Sequence, residues 1–260
     1  METLKYWFPA IAGMLCLGLG AGLIGIYGFF VKPVTEEFGV GTTLVNLGAV
    51  ALLLVPGIVS PFVGRLADRV SSRYLVLTGV TIAATSLLLI SFSPSLAVIG
   101  LAFVVFSFGL TFYGPVVVNG LMVKRYPGSE ARALAIVAIG ISIASATLPL
   151  LMSFLLSSMP WRTALALLGV GVWLAIVVTA VLLIPSDIGG GIPRQKEKLD
   201  AGIYRRKEFW WIGLSIAMGL SVSVIMAVVY PPLFLERGFT LVDVGWLMSL
   251  GGLSGLTGKL

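Results

Sequence analysis

Long runs without a single charged residue constrain this sequence more than any other feature. The 17 basic and 11 acidic side chains of the 260-residue chain are confined to short connections and the residues beside them. Because a helix needs ~20 apolar residues to cross the hydrocarbon core of a bilayer, runs of this length predict membrane-spanning helices. The sequence therefore predicts an all-α integral membrane protein. Its uncharged segments are Tyr6–Val31, Phe38–Gly64, Tyr74–Val123, Ala133–Trp161, Thr163–Ser186, Phe209–Leu235 and Val244–Gly258.

The lengths of these segments give the number of spans. The first, second, fourth, fifth and sixth segments are each long enough for one span. Tyr74–Val123 contains 50 residues and must hold two spans, separated at the turn-forming cluster Ser91–Ser95. Val244–Gly258 is shorter than a span. We therefore expect seven complete transmembrane helices and part of an eighth.

Lys and Arg are distributed unevenly between alternate connections. Fourteen of them fall on one side of the predicted membrane, and only Lys32, Arg162 and Arg237 fall on the other. Positive charge is concentrated on the cytoplasmic side of membrane proteins. We therefore expect a multi-pass protein of the cell membrane with a cytoplasmic N-terminus. This distribution accounts for the net charge of +6 without a nucleic-acid partner.

Residue types that carry chemistry are scarce. The chain has no His and a single cysteine, Cys16, and no Asp or Glu lies in the interior of the seven complete segments. Transition-metal binding, general acid–base catalysis and nucleophilic catalysis all depend on such residues. The sequence therefore predicts no metal site, no cofactor and no enzymatic activity.

The connection between the second and third spans is dense in charge. Asp68 lies among Arg65, Arg69 and Arg73, and Gly64 precedes them at a position where a missing side chain would let two helices approach closely. This stretch resembles the signature between the second and third spans of the major facilitator superfamily of transporters, G-x-L-A-D-R-x-G-R-K/R. Two positions depart from that signature, because Ser71 and Ser72 stand where Gly and Arg are usual.

The resemblance implies a fold of twelve helices in two six-helix halves. In the family, the aspartate and its basic neighbours are thought to lock the halves together on the cytoplasmic side. That role would fall here on Gly64, Asp68, Arg69 and Arg73. The alternative is an ordinary cytoplasmic hairpin, which collects Arg without any gating role.

The end of the first span carries a cation, Lys32, after the aromatic pair Phe29-Phe30 and before Glu36-Glu37-Phe38. This run resembles the first-span end of the monocarboxylate transporter branch of the superfamily, in which the lysine is taken to bind the substrate carboxylate. The resemblance assigns that role to Lys32. The alternative is a lysine that extends to the lipid headgroups.

Three further stretches resemble the same branch, and two polar residues lie within a span. Arg132-Ala133-Leu134-Ala135, Pro160-Trp161-Arg162 and Tyr230-Pro231-Pro232 each resemble monocarboxylate-type stretches. Tyr113 and Asn119 lie in an apolar span, where polar groups face the protein interior or a water-filled cavity, or bond between helices. We take Lys32, Tyr113, Asn119 and Tyr230 as candidate substrate-binding residues.

The chain also resembles itself. A shift of 197 positions aligns Thr43–Gly48 with Thr240–Gly245, with four of six residues identical, as two parallel six-span halves would give. The same shift pairs Leu260 with Val63, immediately before Gly64, so we expect a sequence truncated from twelve spans. The predicted domains are an N-terminal six-helix bundle (1–184), a cytoplasmic linker (185–208) and the start of a C-terminal bundle (209–260).

These features favour a secondary transporter that moves a small organic anion, of the monocarboxylate type, by alternating access. Protons are expected as the coupling ion and the lipid bilayer as the surroundings. One alternative is an exporter or exchanger of drugs or metabolites, although the fifth span lacks the Gly-Pro pair of drug–proton antiporters. Another alternative is a membrane scaffold that transports nothing.

Overall fold

A computed structural model of the chain describes residues 5–186 and 206–257, with side chains as far as residue 255. The part of the chain that it describes contains ten helices of eleven residues or more. They are α1 (Phe8–Gly25), α2 (Gly28–Phe38), α3 (Thr42–Ala67), α4 (Ser72–Phe92), α5 (Leu96–Phe112), α6 (Pro115–Arg125), α7 (Glu130–Ser158), α8 (Trp161–Leu183), α9 (Lys207–Glu236) and α10 (Leu241–Thr257).

The predicted number of spans is confirmed. Seven helical segments are long and apolar enough to cross a membrane: α1, α3, α4, the pair α5–α6, α7, α8 and α9. The expected break at Ser91–Ser95 is also correct, since α4 ends at Phe92 and α5 begins at Leu96. The partial eighth span is α10. The protein is therefore a multi-pass membrane protein.

The connections between the spans alternate between two ends of the helix bundle. We call one the Asp68 end; it holds the start of the chain and the connections α3–α4 and α6–α7. We call the other the Glu37 end; it holds the connections α2–α3, α4–α5, α7–α8 and α9–α10. Each polar cluster in the described part of the molecule lies at one of these two ends.

The first span differs from its prediction. A helix ending near Val31 is expected, but after an interruption at Ile26–Tyr27 the chain continues as α2 through Lys32 and Pro33 to Phe38. The helix ends at Gly39, whose φ of +62° lies in the left-handed region that terminates helices and favours glycine. The charge of Lys32 therefore does not end the helix, since its side chain can lie along the helix beside Glu36 one turn later.

Small residues let α7 pack closely on two neighbours. On one side, α7 meets α1, where a Cβ added to Gly18 would lie 2.6 Å from the carbonyl oxygen of Gly140. On the other side, α7 meets α10, where a Cβ added to Gly252 would collide with the backbone of Ser145. Both contacts are possible because glycine has no side chain. Close approach of this kind provides the van der Waals packing that holds helices together in lipid.

Helix α9 contacts the first six spans at one end only. Residues 207–220, toward the Asp68 end, are all exposed. Nearer the Glu37 end, Val228 and Pro231 are buried, and a Cβ added to Gly28 of α2 would lie 2.5 Å from the carbonyl oxygen of Ala227. The two helices are thus in contact at the Glu37 end and α9 is uncovered at the Asp68 end.

Most of the predicted linker, residues 187–205, lies outside the described residues. Helix α9 begins at Lys207, so the last two residues of the predicted linker lie in its first turn. Arg206, in an extended conformation, precedes the first turn, and Glu208 within that turn interacts favourably with the helix dipole.

Candidate functional site

Lys32 lies on α2 close to the contact with α9. It follows Gly28 by four residues, so both occupy the same face of α2, and Gly28 is the residue that α9 approaches. The Lys32 side chain is about half exposed, and its ammonium lies 3.9 Å from Oε1 of Glu36. A pair this long and exposed contributes little to stability, so the ammonium can exchange Glu36 for another anion.

Tyr230 lies on the opposite side of the same helix contact. It directly precedes the buried Pro231, which would lie 2.8 Å from a Cβ on Gly28. The Tyr230 ring is 37% exposed and packs at 5.7 Å from the ring of Phe234. The fold therefore brings Lys32 and Tyr230 to neighbouring helices at one contact.

Tyr113 and Asn119 lie elsewhere, around the interruption of the fourth span. Helix α5 ends at Phe112 and α6 begins at Pro115, so the span is interrupted at Tyr113-Gly114. The Tyr113 side chain is fully buried against Gly20 of α1, and its hydroxyl has no hydrogen-bond partner in the described residues. Asn119 is half-buried one turn into α6. Burying a hydroxyl without a hydrogen-bond partner costs free energy. A substrate or a residue that accepts a hydrogen bond from Tyr113 would remove that cost.

The carboxylate of Asp68 pairs with a residue that its local sequence did not indicate. The Lys124 ammonium, at the end of α6, lies 3.0 Å from Oδ1 of Asp68 and also donates to the Ala67 carbonyl oxygen at 2.9 Å. In the described part of the chain, no ion pair joins Asp68 to Arg65, Arg69 or Arg73. The pair therefore links α3 to α6 within the first six spans.

The close helix approach expected at Gly64 is wrong for this conformation. A Cβ added there would meet only Cγ1 of Val116, at an ordinary contact distance of 3.6 Å. Arg69 and Arg73 lie beside it at the same connection, Arg69 exposed and Arg73 half-buried. Instead, the backbones of α4 and α5 approach each other closely at Gly79 and Gly109, where the two helices cross.

A polar cluster at the Glu37 end joins three helices. The Arg162 guanidinium donates twice to Oε1 of Glu37, at 2.7 and 3.1 Å, and the indole N–H of Trp161 donates to Oε2 at 2.7 Å. The same guanidinium donates to the carbonyl oxygens of Ile90, Ser91 and Ser93 at the end of α4. The Arg162 hydrogen bonds hold the pKa of Glu37 below its usual range.

Sequence reasoning missed this cluster, although its parts were visible. Glu36-Glu37 and Trp161-Arg162 were each noted only for their resemblance to a family, and both fall on the cation-poor side of the membrane. An acidic and a basic residue on the same side of so apolar a chain need partners. That requirement is the signal that could have paired them.

An apolar cavity of about 510 Å³ contains none of the predicted site residues. It lies inside the first six spans at the Glu37 end, between α1–α2, α3, α4, α5 and α8. It is therefore separate from the contact between α2 and α9 at which Lys32 lies.

Comparison with solved structures shows the fold. The chain superposes on a bacterial homologue of the human lysosomal transporter Spinster, in an inward-facing and unoccupied conformation, with a TM-score of 0.71 at 16% identity, over 97% of this chain and 60% of that one. A D-xylose–proton symporter gives a TM-score of 0.68 at 14% identity, over 99% and 67%. A bacterial homologue of the human drug peptide transporters gives 0.62 at 17% identity, over 98% and 53%.

The chain thus spans about half to two-thirds of the length of these structures. A search of curated proteins gives no match. The family model described as Major Facilitator Superfamily matches residues 11–260, nearly the whole chain. This match, the seven spans and the similarity to transporter structures lead to one conclusion: the chain belongs to the Major Facilitator Superfamily.

Proposed function

We propose that this chain forms part of a secondary transporter that moves a small organic anion, of the monocarboxylate type, across the cell membrane by alternating access. The observation that carries the proposal is the position of Lys32, a cation on the face of α2 that meets α9. In this fold substrates bind between the two halves. An exchangeable ammonium at a contact between α2, from the first six spans, and α9, the seventh, suits a carboxylate substrate.

The contacts of α9 support a path that opens at the Asp68 end. Helix α9 meets α2 at the Glu37 end, whereas its first fourteen residues are exposed. The basic connections lie at the Asp68 end, and by the positive-inside rule this end is cytoplasmic. In this proposal, the contact between α2 and α9 closes the path toward the outside.

The remaining candidate residues would line this path. Tyr230 lies beside the same contact as Lys32, and the unpaired hydroxyl of Tyr113 can donate to a substrate oxygen when the helices move. Asn119, one turn into α6, offers an amide. These three residues would orient the substrate, while Lys32 neutralises its charge.

Coupling to protons would not need a carboxylate within these spans. No Asp or Glu lies in the interior of the described helices. A weak acid can cross as the neutral molecule, carrying its own proton, so an inward acid gradient would drive accumulation. A carboxylate elsewhere in the complete protein is the other route.

The Asp68 connection would serve as the gate. Asp68 is paired only to Lys124 among the described residues, and this pair is partly exposed. Arg69 and Arg73 lie beside it without an ion pair in the same region. In the opposite conformation, these groups and Gly64 would face the second half of the fold and exchange partners across the gap.

Uptake of labelled lactate into proteoliposomes tests the proposal, with the protein expressed from its complete coding sequence. We expect uptake to accelerate under an inward acid gradient and to be lost in Lys32→Gln, while Lys32→Arg retains part of it because the charge remains. Glu36→Gln is the matched control, since it removes the partner of Lys32 but not the cation.

Normal uptake by Lys32→Gln would return Lys32 to a lipid-facing role. Uptake driven by internal lactate but not by pH would indicate an exchanger, and no uptake of any monocarboxylate would favour a scaffold.

A further inference from the structure

The apolar cavity at the Glu37 end has a shape and depth that suit one hydrocarbon chain. Along α5 its wall runs from Leu96 to Phe106, eleven residues whose ten steps of about 1.5 Å span about 15 Å. That depth is about half of a hydrocarbon core of ~30 Å. The cavity therefore extends from one membrane surface to about the midplane.

The cavity opens sideways, between α3 and α5. At this mouth Leu44, Leu47 and Val104 line the cavity and are 49, 57 and 43% exposed. Both helices are membrane spans, so the opening lies at membrane depth, where no other described residue of this chain covers it.

The walls offer no free polar group. The only two polar side-chain atoms on lining residues are already bonded, the Tyr27 hydroxyl to the Val45 carbonyl oxygen and the Trp161 indole N–H to Glu37. A water molecule needs polar partners, and a site for a specific small molecule has convergent polar groups to orient it. An empty cavity of about 510 Å³ would forfeit the dispersion contacts of its walls.

We infer that this cavity binds one acyl chain of a bilayer phospholipid, which enters from the membrane between α3 and α5. The chain would run from the polar cluster of Glu37, Trp161 and Arg162, at the membrane surface, toward Phe106 near the midplane. This site lies within the first six spans and is separate from the proposed substrate path. It would fill the bundle and stabilise it through apolar contacts.

Trp161 provides a built-in reporter, because it lines the cavity and its indole N–H is fixed by Glu37. The experiment uses the complete protein with Trp161 as its only tryptophan, reconstituted in phosphatidylcholine with brominated acyl chains. We expect stronger quenching of Trp161 in brominated lipid than in plain lipid. A second protein, with Trp173 of the same helix as its only tryptophan, reports on lipid around the surface.

Two substitutions block the cavity from different walls. Gly100→Phe fills it from α5, where an added Cβ meets no atom within 4 Å, and Ala51→Phe fills it from α3. Both should abolish the extra quenching of Trp161 and leave that of Trp173 unchanged. Gly57→Phe is the matched control, since Gly57 also has open space but does not line the cavity.

The inference is overturned if bromine quenches Trp161 no more in the unblocked protein than in both blocked variants. That result would mean that another part of the complete protein covers the mouth, or that the cavity stays empty. Thermal unfolding of each variant checks that the fold is retained. Since the readout is fluorescence, failure of the lactate uptake assay would not affect it.

Discussion

The two ends of the bundle carry ion pairs of different construction. At the Glu37 end, one guanidinium binds a carboxylate through two hydrogen bonds and three backbone carbonyl oxygens, so that α2, α4 and α8 are joined. At the Asp68 end, one ammonium binds one carboxylate oxygen and one carbonyl oxygen, joining α3 to α6.

The difference indicates which end can rearrange. Arg162 uses a planar group whose three nitrogens all donate hydrogen bonds, whereas Lys124 is a point charge on a flexible stem. Arg69 and Arg73 offer further cations beside Asp68. We therefore regard the Glu37 end as a fixed brace and the Asp68 end as a connection whose partners can change during transport.

The largest effect on stability is expected from Arg162→Ala. The substitution leaves the Glu37 carboxylate and the carbonyl oxygens at the end of α4 without their donor. We expect a loss of about 3 kcal/mol in the free energy of unfolding, because stranded polar groups retain their desolvation cost. Denaturant titration of the purified protein measures it, with Arg65→Ala as control, since Arg65 only lies over the ring of Phe62. A loss no greater than that of the control would contradict the brace.

A smaller effect is expected from acid. The Arg162 hydrogen bonds lower the pKa of Glu37, so this carboxylate contributes stability above the usual glutamate pKa. That contribution should diminish as pH falls below about 4.3 and vanish below the lowered pKa. Since Glu37 is partly exposed, we expect it to be no more than about 1 kcal/mol. Unfolding curves against pH should lose this step in Glu37→Gln; an unchanged step would assign it to another group.

The smallest effect on stability is expected at the Asp68 end. Asp68→Asn should cost about 0.5 kcal/mol, and less at high salt, because the pair with Lys124 is partly exposed. Lys124→Met should give a similar value, and the double variant should cost little more than either. We expect both single variants to slow lactate uptake far more than they lower stability. A stability loss as large as that of Arg162→Ala would make the two ends equivalent.

Sequence alone predicted the number of spans because charged residues are confined to the connections between long apolar segments. It predicted the Ser91–Ser95 break because turn-forming residues cluster there. It could not find the pairs Glu37–Arg162 and Asp68–Lys124, whose members lie 125 and 56 positions apart. Charge counts place such residues on one side of the membrane without choosing partners.

Glycine roles were harder still to predict. Gly64 and Gly79 look alike in the sequence, yet only Gly79 has a backbone carbonyl within 3 Å of its absent Cβ. Helices that are apolar on every face carry no pattern that tells which face meets a neighbour. The same limit applies to Lys32, whose position beside α9 depends on the contact at Gly28.

The most direct test of the difference between the ends is the labelling rate of single cysteines in a cysteine-free background. Val70→Cys reports on the Asp68 end and Ser93→Cys on the Glu37 end, in detergent, where a maleimide reaches both. We expect saturating lactate to change the labelling rate of Val70→Cys and to leave that of Ser93→Cys slow and unchanged. Equal changes at the two positions, or a change at Ser93→Cys alone, would contradict the assignment of a fixed brace and a mobile gate.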